Sequence, residues 1–167
     1  KIPHDLPEML IPEKYEFFRI LTHNDRIPES HVLTFCKNPA NSVTSDFLQL
    51  TSDEEVFFLE RLLLADSIPV IDVHTWLPPR LFPDFAPNAL ENGPFFNSIK
   101  NTYRCTIAES SRSPISVTPA PPDMAKTLVL SSGNPVLLLV SYMEAPDGKP
   151  LYISREDSAC SRYTIAF

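Results

Sequence analysis

The sequence predicts an α+β domain in which an antiparallel β-sheet carries a few short helices. Three observations predict it. Apolar runs come in pairs joined by turns too short for a parallel crossover, as in LLLADSIPVIDVHTWLP (62–78) and PVLLLVSYMEAPDGKPLYIS (135–154). Short stretches with helix-start chemistry sit between these pairs. Eighteen prolines against three glycines punctuate the apolar runs instead of forming a tract, so they mark loops and edges.

Taken in order, residues 1–14 are interrupted by proline and read as a linker or N-terminal arm. YEFFRIL (15–21) and HVLTF (31–35) read as strands, separated by the turn chemistry of HNDRIPES (23–30). NPANSVTSDFLQL (38–50) reads as a short helix with Thr44 or Ser45 as its N-cap. VFFLERLLLA (56–65) is apolar on both faces, which predicts a strand covered on both sides. Asp66-Ser67 turns it into the strand IPVIDVHTWLP (68–78). A helix is predicted over 93–103, where Pro94 suits a first turn. Residues 104–119 read as extended, and Pro122 with Asp123 starts a short helix over 120–128. The hairpin 134–156 turns at Asp147-Gly148, a pair that supplies the positive φ its turn needs. SRYTIAF (161–167) closes the chain as a strand.

A chain of 167 residues with 43% hydrophobic content is enough for one packed domain. No apolar run approaches the ~18 residues of a membrane span, and KIPHDLPEML lacks the layout of a signal peptide. The formal charge of −7 argues against direct binding to nucleic acid, which needs a basic surface to displace counterions. Cys36, Cys105 and Cys160 are odd in number and widely spaced, the pattern of reduced thiols, and no Cys/His metal spacing occurs. No metal or cofactor is expected. No nucleophile elbow, P-loop, dinucleotide fingerprint or metalloprotease helix is present, so no catalytic residue is assigned.

Two features carry candidate chemistry. Strand alternation places Arg61 on one face with Phe57, Leu59 and Leu63. A guanidinium among apolar neighbours needs an internal partner or a ligand oxyanion. On the next strand Asp72, His74 and Trp76 share a face, which reads either as a pocket wall or as a half-solvated face plugged by the indole.

The order of these elements resembles the UTRA (UbiC transcription regulator-associated) domain, the effector-binding domain of GntR-superfamily regulators of the HutC subfamily, which has a chorismate lyase-like fold. The carriers are Glu60-Arg61-Leu62, Ala65-Asp66, Pro69 and Trp76-Leu77-Pro78. RIPESHVL (26–33), PANSVTSDFLQL (39–50), the hairpin 135–154 and the terminal SRYTIAF extend the match over 15–167. The resemblance implies a cytoplasmic small-molecule sensor that dimerises. It would act on operator DNA only through a separate winged helix-turn-helix domain, which this chain does not contain, and would not touch a membrane. Alternatives on the same fold are a chorismate lyase-like enzyme, in which Arg61 and Glu156 would meet a carboxylate, and a degenerate domain kept for dimerisation alone. The terminal strand and the apolar hairpins are candidate dimer surfaces, since unpaired edges invite pairing.

The resemblance also assigns ligand-binding positions. Arg61 keeps the first arginine of the apolar strand, while Leu63 stands where a second is frequent and Val73 where an acid is frequent. Pro94 and Phe96 replace a serine and a tyrosine. Ser161 replaces the aspartate of the "DRY" ending, whose Arg162 and Tyr163 remain. Each lost polar anchor removes a partner for a polar ligand group, at roughly 1–3 kcal/mol. The expected effector therefore has an anionic head, a carboxylate or a phosphonate, on a relatively apolar body. The expected contacts are Arg61, Leu63, Val73, His74, Thr75, Phe96, Asp157 and Tyr163. His74 and Thr75 are both carried because they lie on opposite faces of one strand.

Overall fold

The Asp66-Ser67 turn sets the register at the centre of the sheet. Both residues take positive φ, 50° and 64°, the conformation of a two-residue turn whose twist matches that of its strands. It joins β3 (Glu55–Ala65) to β4 (Ile68–Leu77). Asp66 also fastens the entry to the preceding strand. One carboxylate oxygen accepts from the Ile27 amide at 2.9 Å and the other from Arg26 Nη1 at 2.8 Å.

The computed structural model describes residues 8–10, 21–22, 25–90, 95–108, 114–162 and 164–166. Six strands form one antiparallel sheet in the order β2-β3-β4-β7-β6-β5. The remaining four are β2 (Pro28–Pro39), β5 (Ile115–Pro119), β6 (Pro135–Glu144) and β7 (Pro150–Ala159). Two short strands, β1 (Glu8–Leu10) and β8 (Thr164–Ala166), pair in parallel apart from this sheet. The helices are α1 (Ser42–Leu48), α2 (Phe95–Tyr103) and α3 (Pro122–Thr127). The α+β architecture read from the sequence is the one observed.

Several local expectations change. The strand expected at 31–35 runs from Pro28 to Pro39. Of the strand expected at 15–21 only Leu21 is described, and it is helical. The N-cap of α1 is Asn41, not Thr44 or Ser45: its side chain accepts from the Thr44 amide at 2.9 Å. An amide side chain in the extended position before the helix outcompetes hydroxyls already inside it. In the 145–149 turn only Gly148 takes positive φ (82°), and Asp147 instead accepts from the Lys149 amide at 3.1 Å. Within the extended 104–119 segment the strand begins only at Ile115. Both apolar hairpins are interior to the sheet, so neither offers a free edge; the edge strands are β2 and β5.

Cross-strand partners share a face, so the register sorts the sheet's side chains. One face carries Leu59, Arg61, Leu63, Val73, Thr75 and Leu77, and packs under Phe82, Phe85 and the α2 residues Phe95 and Ile99. The other carries Phe58, Glu60, Leu62, Asp72, His74 and Trp76. It is covered at one end by α1, with Leu48 and Phe47 against Ile153, Trp76 and Tyr142. At the other end Ala125 and Met124 of α3 pack near Leu62 and Val136. The prediction that β3 is covered on both sides is met.

Candidate functional site

Arg61 lies at the centre of the first face, and its side chain is drawn from the middle of the longest apolar run. It is 5% exposed. Its direct strand partners are Val32 on β2 and Val73 on β4, both aliphatic. Beyond Val73 in the same row stands Glu156 of β7. The guanidinium carbon lies 5.0 Å from the centroid of the Phe95 ring, a cation–π contact that also shields it from water. Burial pushes its pKa down to about 10, opposed by the fields of Glu156 and Tyr152. It therefore stays charged at neutral pH. Among the described residues its Nε has no hydrogen-bond partner.

Thr75 occupies the next row, between Leu59 and Ser154, with Ser141 beyond. It is 1% exposed, and its hydroxyl also lacks a partner among the described residues. This face thus holds a buried cation, a buried hydroxyl and a carboxylate in two neighbouring rows, roofed by aromatic rings. Such a set can bind a small anion whose body is apolar.

The opposite face has its own polar cluster. His74 stands directly across from Glu60 on β3 and Arg155 on β7, and Asp72 across from Asp157. His74 Nε2 is 3.3 Å from Asp72 Oδ2 and 3.5 Å from Glu60 Oε1. Burial draws the imidazole pKa down, but Asp72 above all, then Glu60 and Asp157, hold it above the ordinary histidine value. Asp157 is fully buried; that burial raises its pKa against the two hydrogen bonds it accepts from Arg155.

A family model for the UTRA domain matches residues 23–164. The chain belongs to the UTRA domain family. UTRA domains are the effector-binding domains of GntR-family transcriptional regulators. The chain is 26% identical over 147 residues to the mannosyl-D-glycerate transport/metabolism system repressor MngR of Escherichia coli, a match covering 84% of this chain and 60% of that protein. The chain thus spans less than two thirds of that relative's length. Among solved structures, PhnF from Mycobacterium smegmatis superposes with a TM-score of 0.85 at 15% identity, over 96% of this chain and 71% of PhnF. A GntR-family transcriptional regulator from Enterococcus faecalis gives 0.75 at 21% identity, over 83% and 98% of the two chains. At these identities the structures establish the fold.

On this UTRA domain the expected ligand contacts divide between the two faces. Arg61, Leu63, Val73 and Thr75 come together, and Phe96 lies in α2 beside Phe95. Tyr163 lies outside the described residues. His74 and Asp157 do not join Arg61: they belong to the far face, because each differs by an odd number of residues from its strand's member of the Arg61 row, Val73 and Glu156. The acid on the arginine face is Glu156, which the sequence reading carried only as an enzyme alternative. Its signal was the alternation along β7, readable once the β4–β7 register is known. Arg162 of the "RY" ending is a clasp between segments. It donates to the carbonyls of Pro69, Leu128 and Val129 at 2.8, 2.5 and 2.8 Å.

Proposed function

We propose that this UTRA domain senses a small organic anion on its arginine face, as the effector-binding part of a bacterial repressor of the HutC type. The observation that carries this is Arg61: a buried, charged guanidinium whose Nε has no internal partner among the described residues. A buried guanidinium N–H without a hydrogen-bond partner is costly, and a ligand carboxylate or phosphonate would satisfy it. Thr75 would take a second oxygen, Glu156 a donor group on the ligand, and Phe95, Leu63 and Val73 its apolar body. Phe96 and Tyr163 belong to the same reading as pocket walls. The domain performs no chemistry in this reading. It forms a homodimer, and effector binding shifts the balance between dimer arrangements that hold separate winged-helix domains on or off operator DNA in the cytoplasm.

The test is a thermal-shift screen of the purified chain against phosphonates, phosphosugars, amino-acid catabolites, aromatic acids and fatty acids. A ligand at about 100 times its dissociation constant adds roughly 2.7 kcal/mol, or about 5–10 °C for a domain of this size. The expected hit is a carboxylate or phosphonate whose shift falls by about half or more in Arg61→Met. A hit whose shift is unchanged by that substitution moves the site away from this face. A strictly monomeric mass in light scattering at high concentration refutes the dimer.

A further inference from the structure

We infer that Glu60, Asp72 and His74 form a binding site for a divalent transition-metal ion of the zinc or cobalt type, on the sheet face opposite Arg61. Two adjacent strands supply the donors: Glu60 and His74 are direct partners, and Asp72 precedes His74 by two residues. One donor atom from each of the three lies within 4.8 Å of the other two. The separations from His74 Nε2 are 3.3 and 3.5 Å. A tetrahedral ion with bonds of about 2.0–2.2 Å keeps its ligand atoms about 3.3–3.6 Å apart. The two separations from His74 Nε2 match the edge length of such a tetrahedron, and the third pair lies within 4.8 Å.

Independent observations mark the place as a site and not a solvated acidic patch. Asp72 is 3% exposed, and its Oδ1 has no hydrogen-bond partner among the described residues. Hydrogen bonds around the cluster are already in place. Thr34 Oγ1 donates to Glu60 Oε2 at 3.0 Å, leaving Oε1 for the imidazole side. Arg155 donates to both oxygens of Asp157, at 2.9 and 3.2 Å. That pairing neutralises Asp157, so Glu60 and Asp72 remain as two carboxylates beside one imidazole. A divalent cation balances them. The rings of Phe58 and Trp76 flank the imidazole at 5.4 and 6.2 Å and fix its position. A cavity of about 110 Å³ is lined by Trp76 and Arg155, the residues two along from His74 on β4 and directly across from it on β7. One imidazole and two carboxylates suit zinc or cobalt better than calcium or magnesium, which favour all-oxygen shells.

The inference does not depend on the anion-sensing reading, since no residue is shared between the faces. The experiment is a titration of the metal-free 167-residue chain with cobalt(II) chloride, followed in the visible spectrum, then displacement by zinc(II) chloride followed by calorimetry. One cobalt per chain is expected, with four-coordinate visible bands and no thiolate charge-transfer band. Binding should be lost in His74→Gln and in Glu60→Gln, and about 10-fold weaker in Thr34→Val, which frees the Glu60 carboxylate. Cys36→Ser and His31→Ala should bind as the parent does. A thermal melt of each variant checks folding; Glu60, partly exposed at the surface of the cluster, keeps the test valid if a His74 variant unfolds. No saturable binding, a thiolate band, or unchanged affinity in Glu60→Gln overturns the assignment.

Discussion

Arg61 and His74 lie on neighbouring strands yet face opposite sides of the sheet: Arg61 pairs with Val73, and His74 with Glu60. A shift of one residue in register would bring His74 onto the face of Arg61 in place of Val73. That single relation separates an arginine site roofed by aromatic rings from a histidine–carboxylate cluster between two helices.

Arg61→Met tests whether the arginine serves the fold or a ligand. Methionine fills similar volume without a charge to desolvate, and replacing a buried charge by an apolar isostere is commonly neutral or stabilising. The expected outcome is an unchanged or higher melting temperature together with effector affinity weaker by about 1.5–3 kcal/mol. Calorimetry with the effector and a thermal melt measure the two quantities on one preparation. A large fall in melting temperature with unchanged affinity would make Arg61 structural.

Arg162→Lys separates a fork from a point charge. The guanidinium spans three carbonyls, those of Pro69, Leu128 and Val129. An ammonium on a narrower head cannot reach all three. The loss of charge-assisted bonds should lower stability by about 1.5–3 kcal/mol in urea unfolding, without altering effector affinity.

The fold was legible in the sequence wherever local rules act alone. The ADS turn, the β3–β4 hairpin, α2 and α3 follow from apolar pattern, proline position and turn chemistry. The candidate site was half legible. Alternation within β3 put Arg61 with Leu63, and alternation within β4 put Val73 with Thr75 on one face. Which face of β4 meets Arg61 depends on the β3–β4 register, and that register contains an irregularity between Leu63 and Leu64. Which face of β7 joins them depends on a long-range pairing that no local pattern encodes. Hence local pattern leaves His74 and Asp157 as candidates beside Arg61, and offers Glu156 only through the enzyme alternative.

Asp66→Asn should remove an acid-sensitive part of the stability. The backbone amide of Ile27, then Arg26, hold the Asp66 carboxyl below its ordinary value of 3.8. A carboxyl depressed in the folded state contributes fully above its unfolded pKa and loses that contribution as pH falls through the folded one. The parent's urea midpoint should therefore drop as pH falls below about 4, and the variant should show a shallower drop over the same window. Asparagine tolerates positive φ, so the turn itself should survive. Parallel pH profiles of equal slope would show that the carboxylate is not a stabilising partner.

Thr75→Val addresses the buried hydroxyl. Valine has nearly the same shape, so packing against Leu59 and Ser154 is kept while the polar atom is removed. A buried hydroxyl without a partner costs about 1–3 kcal/mol, so the variant should be more stable than the parent by about 1 kcal/mol or more in urea unfolding. If the hydroxyl is kept for a ligand oxygen beside Arg61, the same change should weaken effector binding about 5-fold or more, since the ligand loses one hydrogen bond of roughly 1 kcal/mol. Stability and affinity should thus move in opposite directions. A gain in stability with unchanged affinity would place the ligand elsewhere in the arginine face. A loss of stability would mean that the hydroxyl has a partner in the folded chain, and Thr75 would then belong to the fold.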